Sequence, residues 1–181
     1  MISFFPLGGA LEIGANSYYL DLFGTGIILD CGQHPQKTGF ASLPDFSLLE
    51  GKPVDFVIIS HAHQDHINSL PFLIKEFPYL QIIMTPQTRD IAELTLHNAL
   101  NIMREQVGEQ AAKLLFTHEE LDMLTESIIA LPYNKPYHLV GHKHRINEEI
   151  VVTLYDAGHI LGSAMISLEC AERRLLYTGD I

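Results

Sequence analysis

With 181 residues, 47% of them hydrophobic, and a formal charge of −11, the chain is long enough to bury one core and too acidic to supply a broad phosphate-binding surface of its own. No apolar run approaches the roughly 18 residues of a membrane span, and the opening Met-Ile-Ser-Phe-Phe-Pro lacks the basic start and small-residue cleavage site of a secretory signal, so a cytoplasmic protein is expected. Cys31 and Cys170 are too few and too far apart for a disulfide framework and are read as small buried hydrophobes in a reducing compartment.

In chain order, Ser3 to Ala10 reads as a strand entering a Gly-Gly turn, and Tyr18–Leu22 with Ile27–Asp30 as the two strands of a hairpin around a Gly-bearing loop. A loop with Pro35, Gly39 and Pro44 follows, containing a short helix at Phe46–Leu49. The mainly apolar run from Val54 to Ser60, continuous over Phe56–Ile59, suits a buried strand. Asn68 to Phe77 has helical spacing with Pro71 in its first turn, Leu80–Met84 is a strand, and Thr85-Pro86 caps a long helix that runs to about Val107 and stops at Gly108. Thr117-His118-Glu119-Glu120 has the form of a capping box for a helix reaching Thr125 or Glu126. Four strand segments close the chain: Tyr137–Val140, Ile150–Tyr155, Ala164–Leu168 and Arg174–Thr178. Strands, then a strand with helices, then strands again predict one layered domain that mixes α and β structure.

The chemistry concentrates in Ser60-His61-Ala62-His63-Gln64-Asp65-His66, three imidazoles and a carboxylate directly after the apolar run. His61 and His63 are two residues apart, so in extended chain they project to one side and can reach one metal. Asp65 and His66 come after the chain must turn, which lets them reach a second metal beside it. Neutral imidazole with a carboxylate oxygen suits Zn²⁺, with Mn²⁺ or Fe as other occupants. Two metals about 3.5–4 Å apart would hold a hydroxide at neutral pH and polarise a phosphoryl or carbonyl oxygen, giving hydrolysis without a protein nucleophile. Four ligands are too few for two metals. His159, in Gly158-His159-Ile160-Leu161-Gly162-Ser163, and Asp180, after Leu175-Leu176-Tyr177-Thr178-Gly179, are the best further candidates because both follow apolar strands.

The set Leu29-Asp30-Cys31-Gly32, Ser60 to His66, Gly158 to Ala164 and Leu175 to Asp180 resembles the metallo-β-lactamase superfamily motif by motif. Pro6-Leu7-Gly8-Gly9 with Glu12-Ile13-Gly14, together with the last two motifs, is similar to the β-CASP branch of RNA-processing nucleases. That resemblance implies an αββα sandwich with two zinc ions at its edge. His61, His63 and His159 would hold the first, Asp65 and His66 the second, and Asp180 would bridge them. Asp30 would orient a ligand, and Asp65 and His66 would serve catalysis as well as metal binding. The implied function is an RNA phosphodiesterase. Members of that branch continue past the Gly-Asp motif with an inserted domain and a returning segment that carries a further His ligand. Residues 1–181 are therefore expected to be the N-terminal portion of such a domain without insert or closing segment, with uncovered strands prone to self-association. A small-molecule metallohydrolase of the same fold, acting on a thioester, lactone or cyclic phosphodiester, and a catalytically silent module are the other readings. His34, His97, His118 and His138 are read as surface or packing residues, His142 and His144 as a solvated turn, and Ser163 not as a nucleophile.

Overall fold

A computed structural model describes residues 2–108, 115–141, 149–170 and 173–181. β1 (Ile2–Gly8), β2 (Ser17–Leu22) and β3 (Thr25–Leu29) form an antiparallel meander. The β2–β3 turn is two residues long, and Phe23 and Gly24 both have positive φ, the backbone that matches strand twist in tight hairpins. β4 (Phe56–Ile58), β5 (Gln81–Met84) and β6 (Ile129–Ala130) then add in parallel, so the first sheet runs in the order β1 to β6. Parallel neighbours need crossovers, and the helices supply them: α1 (Gln64–Ile67) and α2 (Leu70–Glu76) between β4 and β5, α3 (Pro86–Val107) and α4 (His118–Glu126) between β5 and β6. The second sheet is antiparallel, in the order β10 (Arg173–Tyr177), β9 (Ala164–Cys170), β8 (Ile150–Asp156), β7 (Tyr137–Leu139).

Strand alternation divides the apolar side chains between two cores. Tyr19, Ile28, Val57 and Ile82 pack with Ile67, Leu70, Leu73, Leu96, Leu100, Leu121 and Leu124 of the helices. Ile27, Leu29, Phe56, Ile58 and Ile83 point the other way, onto Val152, Leu154, Ile166 and Leu168 of the second sheet. β4 is buried on both faces, which is why its sequence is continuously apolar rather than alternating. The result is helices, sheet, sheet: three layers of an αββα sandwich. Among the described residues, helices cover only the first sheet, and the outer face of the second exposes Tyr155 and Leu176. No described helix is long and apolar enough to cross a membrane.

Sequence reading placed most elements, including the Thr85 cap and the Thr117–Glu120 capping box. The Phe46–Leu49 turn is 3₁₀. The apolar run 54–60 is the main difference, because only Phe56–Ile58 is in the ladder. Asp55 bonds back to Gly26, and Ser60 leaves the sheet to bond Asp30. β6 has two residues, too few for any periodicity to show.

Candidate metal centre

Four chain segments meet at one end of the two sheets. Asp30 follows β3, His61 to His66 follow β4, His159 lies in the β8–β9 loop and Asp180 follows β10. One donor atom each from His61, His63, His159 and Asp180 lies within 4.8 Å of the others. His63 Nδ1 is 3.0 Å from His61 Nε2 and 3.2 Å from His159 Nε2. A proton on His63 Nδ1 can serve only one of those two neighbours, so lone pairs face one another unless a cation lies between them. The donor set therefore fits a divalent metal.

Asp180 faces two ways. Its Oδ2 is 3.6 Å from His159 Nε2 and 4.0 Å from His61 Nε2, while Oδ1 is 3.5 Å from His66 Nε2. On that second side His66 Nε2 is also 3.7 Å from Asp65 Oδ2. One carboxylate thus lies between a three-histidine group and an Asp65–His66 pair.

Asp30 is fully buried and sets the ring protons. Its Oδ1 accepts from the Ser60 amide at 2.6 Å. Its Oδ2 accepts from the Ser60 hydroxyl, the Tyr177 hydroxyl and His66 Nδ1, each at 2.7 Å. The Ser60 hydroxyl spends its only proton on Asp30, so it must accept from His61 Nδ1, 3.0 Å away. In their neutral forms both rings are therefore protonated at Nδ1 and present a bare Nε2 to the centre. This is the carboxylate–histidine arrangement that raises ligand basicity and holds ring orientation.

The backbone has been shaped to permit this. Asp30 adopts φ 59°, an unusual conformation for a non-glycine residue, which swings its carboxylate from the strand end under Ser60. At Gly32 an added Cβ would fall 1.6 Å from the Asp65 carbonyl, so only glycine lets the β3 exit lie against α1. Two bonds, Cys31 N–H to His66 O at 2.8 Å and Asn16 N–H to Asp65 O at 3.0 Å, stitch these segments together. The His159 loop is held at its far end by the Thr85 and Thr88 hydroxyls donating to Gly162 O. Ser163 closes the same loop, its hydroxyl accepting from the amides of His159 and Ile160.

Burial, reinforced by neighbouring His66, lowers the His61 pKa to about 4. For His66 burial acts in the same direction, but the Asp30 hydrogen bond and the charges of Asp30, Asp65 and Asp180 outweigh it, and the pKa rises above 6.5. In the metal-free protein the His66–Asp30 interaction thus contributes stability fully present below pH 6.5 and lost as pH rises through the folded value. Protons compete with cations for the same lone pair, so a metal held by His66 would be lost at higher pH than one held by His61. On acidification the bound-metal content, counted by elemental mass spectrometry, would then fall in two stages, the His66 side first.

Ser60, Tyr177 and Asn16 join the site without having been singled out from sequence. Tyr177 stands 147 positions from its partner Asp30, and nothing local signals the pair. Among the other histidines, His97 and His118 stack at 4.8 Å and His97 reaches Asp122 at 3.0 Å, so they pair across α3 and α4 rather than standing alone. His34 lies 3.6 Å from Glu12, and His138 lies 2.7 Å from Glu149. His142 and His144 lie outside the described residues.

A family profile described as "Metallo-beta-lactamase superfamily" matches residues 11–181. The chain is 31% identical over 176 residues to "Cleavage and polyadenylation specificity factor subunit 3-I" of Arabidopsis thaliana, covering 97% of this chain and 24% of that protein. It is 34% identical over 181 residues to "Endoribonuclease YSH1" of Eremothecium gossypii, covering 98% and 22%. With "Cleavage and polyadenylation specificity factor 73" of Drosophila melanogaster it shares 33% over 176 residues, covering 97% and 24%. The chain therefore spans about a quarter of the length of these relatives. Among solved structures, a B3 metallo-beta-lactamase with an active-site glutamic acid superposes with a TM-score of 0.56 at 14% identity, covering 96% of this chain and 58% of that one, which is a likeness of fold.

Proposed function

The chain belongs to the metallo-beta-lactamase superfamily, and from that premise we propose that it carries the metal-binding half of an RNA phosphodiesterase holding two Zn²⁺ ions. The observation that carries this reading is Asp180, whose two oxygens address different donor groups, His61–His63–His159 and Asp65–His66. Those groups would hold one cation each and Asp180 both. When bound, the cations would polarise a phosphoryl oxygen and lower the pKa of an attacking water. Asp65 would accept a hydrogen bond from that water and orient it, while Asp30 keeps the His66 and His61 protons at Nδ1, away from the centre. RNA is favoured as substrate because the relatives named endoribonucleases align along nearly the whole chain. The −11 charge opposes a polyanion, and bound cations would offset part of it at the centre.

Labelled single-stranded RNA should be cut internally, with activity abolished by chelator, restored by Zn²⁺, and reduced roughly a thousandfold by His63→Ala. Hydrolysis of a thioester or lactone with RNA left intact would overturn the substrate assignment. The buried free thiol of Cys31 supports the cytoplasmic reading through a reducing compartment. The outer face of the second sheet, with Tyr155 and Leu176 exposed, supports self-association. Sedimentation velocity should show mass rising with protein concentration, and a monomer at all concentrations would remove that reading.

A further inference from the structure

One side chain at the centre has no part in the reaction described above. Asn16 Nδ2 lies 3.1 Å from His66 Nε2, 3.2 Å from Asp65 Oδ2 and 3.2 Å from the Asp65 carbonyl oxygen. An amide nitrogen carries two protons and no lone pair, so it is purely a donor facing three acceptors. Reversing the amide would set its oxygen against those acceptors, and the Tyr18 hydroxyl, 3.3 Å from Oδ1, donates to the oxygen where it stands. The orientation is therefore chemically determined. Two of the three acceptors are the lone pairs that Asp65 and His66 would offer a cation. Among the described residues the three-histidine group has no such donor at its centre, where His61 Nε2, His63 Nδ1 and His159 Nε2 face one another and Asp180.

We propose that Asn16 is a positioning residue that makes the two cation sites unequal. The His61–His63–His159 group is ready to bind, whereas the Asp65–His66 group fills only when the Asn16 amide withdraws. Cations then enter in order, and the second binds more weakly by the hydrogen bonds it must displace. Withdrawal needs only side-chain rotation, because the Asn16 backbone is pinned on both sides, its N–H to Asp65 O at 3.0 Å and its carbonyl accepting from Gly32 N at 2.9 Å. Gly9 leaves the room the side chain occupies, since an added Cβ there would lie 2.9 Å from Asn16 Oδ1.

This inference rests on the two-cation reading and is separable from it. Zn²⁺ alone is titrated calorimetrically into chelator-stripped protein, with bound metal counted by elemental mass spectrometry. The wild type should bind in two resolved steps. Asn16→Ala should tighten the second step by roughly tenfold or more, the scale of hydrogen bonds to charged groups, and leave the first within about twofold. Tyr18→Phe, which frees the amide oxygen but keeps the amide, should move the second step the same way by less, and serves if Asn16→Ala fails to fold. A weaker second step in Asn16→Ala, or an equal change in both steps, would overturn the proposal in favour of an orienting or purely structural role. Absence of the first step in the wild type would instead sink the two-cation reading, and this inference with it.

Discussion

Asp180→Ala is expected to lower RNA cleavage by about a thousandfold or more while leaving the metal-free fold nearly as stable as before. The two halves of that expectation come from the same geometry. Asp180 is the carboxylate whose separate oxygens lie 3.5 Å from His66 and 3.6 Å from His159, so in the proposed two-cation centre its loss would remove a ligand from both positions at once. Its side chain is nevertheless 48% exposed, and an exposed carboxylate contributes little to folding. Thermal unfolding of the stripped variant should match the stripped wild type within about 4 °C, the shift that roughly 1 kcal/mol produces in a domain of this size. A large loss of stability in the stripped variant would mean that Asp180 holds the fold instead of the cations.

Asp30→Ala is expected to have the opposite signature, a severe loss of stability accompanied by weaker metal binding. Its carboxylate, fully buried, accepts from the Ser60 amide, the Ser60 hydroxyl, His66 Nδ1 and the Tyr177 hydroxyl. Alanine leaves these donors without an acceptor in a place water does not reach. The cost is on the order of 3–5 kcal/mol, read as a fall in melting temperature of roughly 10 °C or more. The backbone adds to it, because alanine tolerates the φ of 59° less well than Asp does. Released from Asp30, His66 can carry its proton on either nitrogen, and His61 loses the Ser60 hydroxyl that fixed its own tautomer. Zn²⁺ affinity should drop by about ten- to a hundredfold, as it does when an outer partner of a ligating histidine is removed. Unchanged stability with an unchanged affinity would contradict the role given to Asp30.

The His61 to His66 stretch was legible because it compresses donors of two kinds into one strand exit, where period-two projection followed by a helical turn separates them into two groups. His159 and Asp180 could be added because each follows an apolar strand and matches a motif. Asn16, Ser60 and Tyr177 were not legible as site residues. A single Asn or Tyr carries no spacing signal, and each acquires its role only when segments far apart in sequence pack together, as Tyr177 does on Asp30. The same limit explains the shortened β4. Composition showed an apolar run but not that Ser60 would leave the ladder to serve the buried carboxylate. The division of the strands between two cores was implicit in their alternation, yet which face met helices and which met the second sheet depended on the order of strands in space.

The most direct measurement of the central claim is the number of cations bound per chain. Protein equilibrated with excess Zn²⁺, freed of unbound metal and analysed by elemental mass spectrometry should carry two per chain, falling to one in Asp65→Ala and in His63→Ala for different sites. A wild-type chain that binds one ion or none under those conditions would contradict the account.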